Sequence, residues 1–117
     1  MNKLAVFVEG QTEQLFVEKL LQAIAGEKSI TIEKRKAAGG GASAKRHCRF
    51  VEVSAARGDE QYYAMIVDCG TDSKVKSDIR ERYERLTDSG FSTIIGIRDV
   101  YPIEREQIGQ DSVNFFL

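Results

Sequence analysis

Three carboxylates stand directly after short apolar segments of this 117-residue chain, where they could share a chemical task. Carboxylates held close together repel one another and raise their own pKa values unless cations compensate the charge. Hard divalent cations such as Mg²⁺ bind clusters of this kind through oxygen, and Mn²⁺ accepts the same ligands. The three acids are Glu9, Asp68 and Asp99. Their positions predict a divalent metal site.

A plainer interpretation of the same acids stays open. Acids at strand ends also begin loops or cap the helices that follow, as Asp72 is placed to do for the helix near Lys74. Only the first interpretation requires a metal ion, so metal binding separates the two.

Strands must position these acids close together, and the sequence indicates four strands. Continuous apolar runs are typical of strands buried on both faces, whereas β-branched alternation indicates a more exposed strand. The buried strands are predicted at Leu4–Val8, Tyr62–Val67 and Ser92–Ile97, and the more exposed one at Ser29–Glu33.

Helices are predicted between the strands. Apolar residues at three-to-four spacing predict a first helix that Thr12 caps and Gly26 ends. A second helix is expected from Ser43 to about Arg57, and a third over residues 74–88.

Strands and helices that alternate in this way favour βαβ units, whose right-handed crossovers build a parallel sheet. The predicted fold is α/β in the order βαβαβαβ. It has a four-stranded, mainly parallel sheet with helices on both faces over residues 1–102, followed by a tail over 103–117. Ligands of open α/β sheets bind beyond the carboxyl ends of the strands, so the acids are expected at one edge.

Composition excludes several other classes of protein. With 17 Lys and Arg, 18 Asp and Glu and 42% apolar residues, the chain is expected to form one globular domain. It contains no apolar run long enough for a membrane span and no secretory leader, so we expect a cytoplasmic protein that makes no membrane contact. Cys48 and Cys69 lack the paired spacing of a zinc site and are expected to be reduced, with Cys69 a small buried residue.

Positive charge is concentrated in the middle of the chain. Seven basic residues and one acid, Glu52, lie between Lys34 and Arg57, although the whole chain carries a net charge of −1. Such a segment attracts a phosphate backbone independently of base sequence, and the alternative is a solvated helix face. The residues predicted to contact nucleic acid are Lys34, Arg35, Lys36, Lys45, Arg46 and Arg49.

The residues around Glu9 resemble a known motif. The hexapeptide VEGQTE, Val8–Glu13, stands between a predicted strand and an amphipathic helix. It resembles the first motif of Toprim domains, especially the small Toprim-like proteins and the overcoming-lysogenization-defect nucleases. The resemblance covers about residues 1–102 and implies a four-stranded parallel sheet. It also implies a metal-binding Glu after the first strand and an Asp-x-Asp pair after the third.

The resemblance assigns the metal-binding Glu to Glu9 and the first Asp of the pair to Asp68. The second Asp is not matched, because position 70 is Gly70, so Asp72 or Asp99 is left to complete the cluster. The candidate catalytic residues are therefore Glu9, Asp68, Asp72 and Asp99, where Asp99 rests on its position after the fourth strand, and the candidate metal ligands are Glu9, Asp68 and Asp72.

The chemistry that the resemblance implies is Mg²⁺- or Mn²⁺-dependent hydrolysis of DNA or RNA phosphodiesters. Metal ions held by carboxylates polarise the phosphoryl oxygen and activate water. Two alternatives remain: a catalytically inactive nucleic-acid-binding or regulatory module, which Gly70 favours, and a subunit whose partner chain completes the site.

The end of the sequence leads to a first prediction. Phe115, Phe116 and Leu117 are adjacent apolar residues, which we expect the domain itself, a second copy or a partner to cover. Burial of each such side chain contributes about 1.5–3 kcal/mol, so a chain that ends at Gln110 should lose thermal stability or self-association. Sedimentation and thermal unfolding of both chains test this, and identical behaviour of the two would contradict it.

Overall fold

The computed structural model describes residues 2–26, 30–40, 46–54 and 61–98. These residues form five strands and two helices, which alternate along the chain except for one strand pair. The strands are β1 (Asn2–Val8), β2 (Ile30–Gly39), β3 (Arg46–Ser54), β4 (Tyr62–Asp68) and β5 (Phe91–Gly96), and the helices are α1 (Gln11–Ala25) and α2 (Asp72–Asp88). Asp99, Lys45 and the predicted tail lie outside the described residues.

The strands form one sheet in the order β3-β2-β4-β1-β5. Strands β2, β4, β1 and β5 run parallel to one another, whereas β3 pairs antiparallel with β2. The α/β class is therefore confirmed, but the described sheet is mixed and has five strands instead of the predicted four.

The helix predicted from Ser43 to about Arg57 is wrong, because residues 46–54 form β3. Its apolar residues include β-branched side chains, and β2 offers them a long hydrogen-bonding edge. β2 itself extends to Gly39, well past the predicted end at Glu33, because β4 and β3 pair with its two sides. The strand predicted to be more exposed is thus an inner strand.

One helix packs on each face of the sheet. Val17 of α1 belongs to a core with Val6, Val8 and Ile66 on one face. On the other face α2 packs against β1, β4 and β5, and a Cβ at Gly96 would meet Ile79 Cδ1 at 2.7 Å. Neither helix within the described ranges is both long and apolar enough to cross a membrane.

The helix starts differ slightly from the prediction. α1 begins at Gln11 directly after Gly10, so Thr12 lies inside the helix and does not cap it. Gly26 ends α1 as predicted, and its φ of 59° is a backbone conformation that residues other than glycine rarely adopt.

A buried ion pair joins β3 to α2. Arg46 Nε lies 2.6 Å from Asp78 Oδ1 and Arg46 Nη2 lies 3.0 Å from Oδ2, and Asp78 is only 1% exposed. The same guanidinium donates to the carbonyl oxygens of Gly39 at 3.0 Å and Cys69 at 2.6 Å. The hydrogen bond to Asp78 raises the pKa of Arg46. One side chain thus holds the β2–β3 hairpin to the helix and to the loop after β4.

This ion pair leads to a stability prediction. Arg46→Met should lower the free energy of unfolding by about 3 kcal/mol or more, because it leaves the Asp78 carboxylate buried without its partner. Arg49→Met, on an exposed position of the same strand, should change it by less than about 0.5 kcal/mol. Urea unfolding measures both variants.

The double variant Arg46→Met/Asp78→Leu should recover most of the loss, since it buries no charge. Equal effects of Arg46→Met and Arg49→Met would contradict the structural role of the pair.

Candidate functional site

The structure brings Glu9 and Asp68 to neighbouring strand ends. β1 and β4 are adjacent and parallel, and Val8 is the register partner of Asp68. Glu9 therefore follows immediately after the residue that pairs with Asp68. The Cys69 N–H donates to the Val8 carbonyl at 2.8 Å and fixes the loop after β4 against the end of β1. These two predicted site residues share the carboxyl edge of the sheet.

Asp68 has a defined environment at this edge. Its side chain is almost fully buried, with 4% of the residue exposed, and Oδ1 accepts the Gly70 N–H at 2.8 Å. The second oxygen, Oδ2, lies 3.6 Å from Lys36 Nζ. Lys36 is the register partner of Asp68 on β2. A lysine ammonium therefore compensates the negative charge of Asp68.

The backbone conformation at position 70 explains why this residue is glycine. Gly70 has a φ of 87°, in the left-handed region where a side chain is strained. This turn points the Gly70 N–H at Asp68, so a backbone donor stands where the Toprim pattern has a second acid.

A row of paired residues crosses the sheet at the same edge. Arg49 on β3 pairs with Lys36, Lys36 pairs with Asp68, and Asp68 pairs with Val8. Register partners in a sheet point their side chains to the same face. The half-exposed Lys36 and the exposed Arg49 therefore form a cationic strip that leads to Asp68 and the end of β1.

The other predicted basic residues mostly form ion pairs inside the domain. Lys34 is buried and lies 3.1 Å from Glu18 and 3.5 Å from Glu52. Burial lowers the pKa of Lys34, but its hydrogen bond to Glu18 and the charges of both acids outweigh this and raise the pKa overall. Arg35 pairs with Glu33.

These internal ion pairs determine which basic residues can still contact an external ligand. Arg46 is committed to Asp78, as described above, while Arg49 makes no ion pair within the described ranges and faces solvent. Lys36 is half exposed although it pairs with Asp68. Among the described residues near the carboxyl edge, Arg49 and Lys36 therefore carry the positive charge that an external phosphate could reach.

Two of the predicted metal ligands, Glu9 and Asp68, are described residues at this edge. Within residues 2–26, 30–40, 46–54 and 61–98, no group of three or more His, Cys, Asp or Glu is placed to share a metal ion. Glu9 and Asp68 supply the carboxylate oxygens that Mg²⁺ prefers. Asp72 is the first residue of α2, four positions beyond Asp68, and Asp99 falls outside the described residues.

Two buried polar residues that position this edge escaped the sequence analysis. Gln14 donates from Nε2 to the carbonyl oxygens of Arg35 and Ile66, both at 2.9 Å, and so ties the first turn of α1 to β2 and β4. Asp78 does the same for α2 through Arg46. Each lies at helical spacing with apolar neighbours of its own helix, and a polar residue within an apolar stripe was the available signal.

Both cysteine thiols are shielded. Cys69 is 2% exposed, which confirms the prediction that it is a small buried residue. Burial raises its pKa strongly, and a hydrogen bond to Asp78 raises it further. Burial also raises the pKa of Cys48, against the opposing charges of Arg82 and Arg35. Both thiols stay protonated at neutral pH, so neither is an activated nucleophile.

Comparisons with known proteins add no assignment to this geometry. No family model, no curated protein and no solved structure matches the chain. The Toprim resemblance of the VEGQTE motif therefore stays a prediction.

The shielded thiols predict a loss of stability at alkaline pH. Above about pH 8.5, the ordinary pKa of a thiol, the unfolded chain releases protons that the folded protein keeps. The free energy of unfolding should then fall by up to about 1.4 kcal/mol per pH unit for each such thiol. Urea unfolding between about pH 8 and about pH 10 should show a shallower decline for Cys69→Ala than for the native chain. Parallel declines would contradict the shielding of Cys69.

Proposed function

We propose that this domain hydrolyses nucleic-acid phosphodiesters with the help of a divalent cation that Glu9 and Asp68 bind. The observation that carries the proposal is the adjacency of these two acids at the ends of neighbouring parallel strands. Carboxyl ends of parallel strands are where open α/β sheets bind ligands. The VEGQTE resemblance supports the same assignment.

Each residue at the edge has a separate task under this proposal. Asp68 offers a carboxylate whose orientation the Gly70 N–H fixes at 2.8 Å. Glu9 supplies the second carboxylate, and Asp72 or Asp99 supplies a third. These carboxylates would hold a Mg²⁺ or Mn²⁺ ion, which would polarise a phosphoryl oxygen and lower the pKa of its bound water.

The cationic strip supplies the attraction for the substrate. Lys36 and Arg49 place two positive charges on the face that leads to Asp68. Phosphate contacts of this kind attract DNA and RNA without reading the sequence, and they position the backbone. The strip therefore orients a strand with one of its phosphates next to the two acids.

A second candidate function is a nucleic-acid-binding or regulatory module without catalysis. The observation in its favour is the Lys36 ammonium 3.6 Å from Asp68 Oδ2, which neutralises the carboxylate without any metal ion. The presence of Gly70 in place of a second acid also favours this module. Metal affinity separates the two candidates.

Metal binding and cleavage should depend on both acids. Glu9→Gln and Asp68→Asn keep the side-chain shapes but remove the charges, and the amide oxygen that Asp68→Asn introduces can still accept the Gly70 N–H. Each variant should weaken Mn²⁺ binding in calorimetry and lower the cleavage rate of single-stranded DNA, double-stranded DNA or RNA by at least about 100-fold.

Glu84→Gln is the matched control, because Glu84 is an exposed acid on α2 that is outside the site. It should match the native chain in both assays. Equal Mn²⁺ affinity in the native chain, Glu9→Gln and Asp68→Asn would contradict the proposal. Metal binding that needs both acids without cleavage of any substrate would favour the binding module.

A further inference from the structure

A second polar site lies at the other end of the strands. A cavity of about 270 Å³ opens between the last turns of α2 and the sheet face that α2 covers. Lys3, near the start of β1, and Phe91, the first residue of β5, line it. Lys3 is six residues before Glu9 along an extended strand, a separation of about 20 Å. The cavity is therefore distinct from the carboxyl edge.

The cavity carries an excess of positive charge. Four cations line it, Lys3, Arg35, Arg82 and Arg85, together with one carboxylate, Glu33. Glu33 is already engaged, because it accepts hydrogen bonds from the Arg35 guanidinium and from the Tyr63 hydroxyl. Within the described ranges, no carboxylate forms an ion pair with Lys3, Arg82 or Arg85. Three positive charges without an acidic partner therefore line the same cavity.

Arg82 presents a donor that lacks an acceptor. Its Nε is buried and has no hydrogen-bond partner among the described residues, while its Nη2 donates to the Arg46 carbonyl at 3.3 Å. Buried donors are nearly always satisfied in proteins, and a charged donor is costly to leave without an acceptor. A ligand that accepts a hydrogen bond from Arg82 Nε would satisfy this donor, and the surrounding positive charges favour an anionic ligand.

The other walls of the cavity suit a ligand that has an apolar part as well as a charged group. Lys3 Nζ donates to the Ser89 carbonyl at 2.9 Å and lies over the rings of Tyr63 and Phe91, 5.8 and 5.2 Å from their centroids. The two rings stand edge to face, 6.1 Å apart. They give the cavity an apolar wall beside its cations.

We propose that this cavity binds a small phosphate monoester, whose phosphate group accepts hydrogen bonds from Arg82, Arg85 and Lys3. Guanidinium groups match phosphate oxygens in a bidentate manner, and a lysine adds a compact charge. The esterified group lies against the aromatic wall.

Calorimetry on the full chain tests the proposal with three probes: inorganic phosphate, adenosine 5′-monophosphate and adenosine. Both phosphates should bind saturably at one site, and adenosine should not bind. Tighter binding of the monoester than of inorganic phosphate would show that the apolar wall contributes. Saturable binding of neither phosphate would overturn the proposal.

Arg82→Gln should weaken the binding of both phosphates by about tenfold or more, through loss of a charge-assisted donor. Arg85→Gln, at an exposed position, should also weaken it and does not endanger the fold. Arg80→Gln is the matched control, since Arg80 is on the same helix but outside the cavity, and it should change affinity by less than about twofold. Equal losses in Arg80→Gln and Arg82→Gln would reduce the effect to overall charge and overturn the proposal.

The test is independent of the proposed hydrolytic function. Glu9→Gln should bind both phosphates as the native chain does, and binding should persist in the presence of a metal chelator. Phosphate binding that is lost with Glu9 or with the chelator would assign the anion to the carboxyl edge and overturn the cavity proposal.

Discussion

The paired charges of Arg46 and Asp78 constrain the rest of the described structure. Two charges buried at one point are stable only together, so the antiparallel strand β3 and the helix α2 must meet there. The guanidinium also holds the Cys69 carbonyl, and Cys69 directly follows Asp68. One interaction therefore closes the sheet at β3 and fixes the loop from which the candidate site is built.

The charge distribution of the molecule follows from this packing. A basic segment forms the β2–β3 hairpin, and most of its charges meet internal acids as the hairpin folds onto the sheet. Together with cations of β1 and α2, the hairpin leaves positive charge at both ends of the strands. At the carboxyl end, Lys36 and Arg49 lead toward two acids. At the amino end, α2 and β1 enclose Lys3, Arg82 and Arg85. These groups are the basis of the two phosphate-binding proposals.

Sequence patterns predict those strands and helices that are determined by their own residues. Continuous apolar runs locate β1, β4 and β5 to within two residues, because a strand buried on both faces needs apolar residues throughout. Parallel order then places Glu9 and Asp68 together. Such patterns find the start of β2 but miss its extension past Glu33 and the whole of β3, because these segments are charged or exposed and are held by pairing with each other. The ion pairs of Lys34 and Arg46 depend on that pairing and could not be predicted without it.

The central claim is that a divalent cation binds between the ends of β1 and β4. Paramagnetic Mn²⁺ broadens amide resonances according to their distance from the ion, so a titration followed by NMR locates the bound ion directly. We expect the amides of Gly10 and Gly70 to broaden first, and Asp68→Asn to abolish this. Broadening that begins at exposed acids of α2, such as Glu81 and Glu84, and is unchanged in Asp68→Asn would contradict the claim.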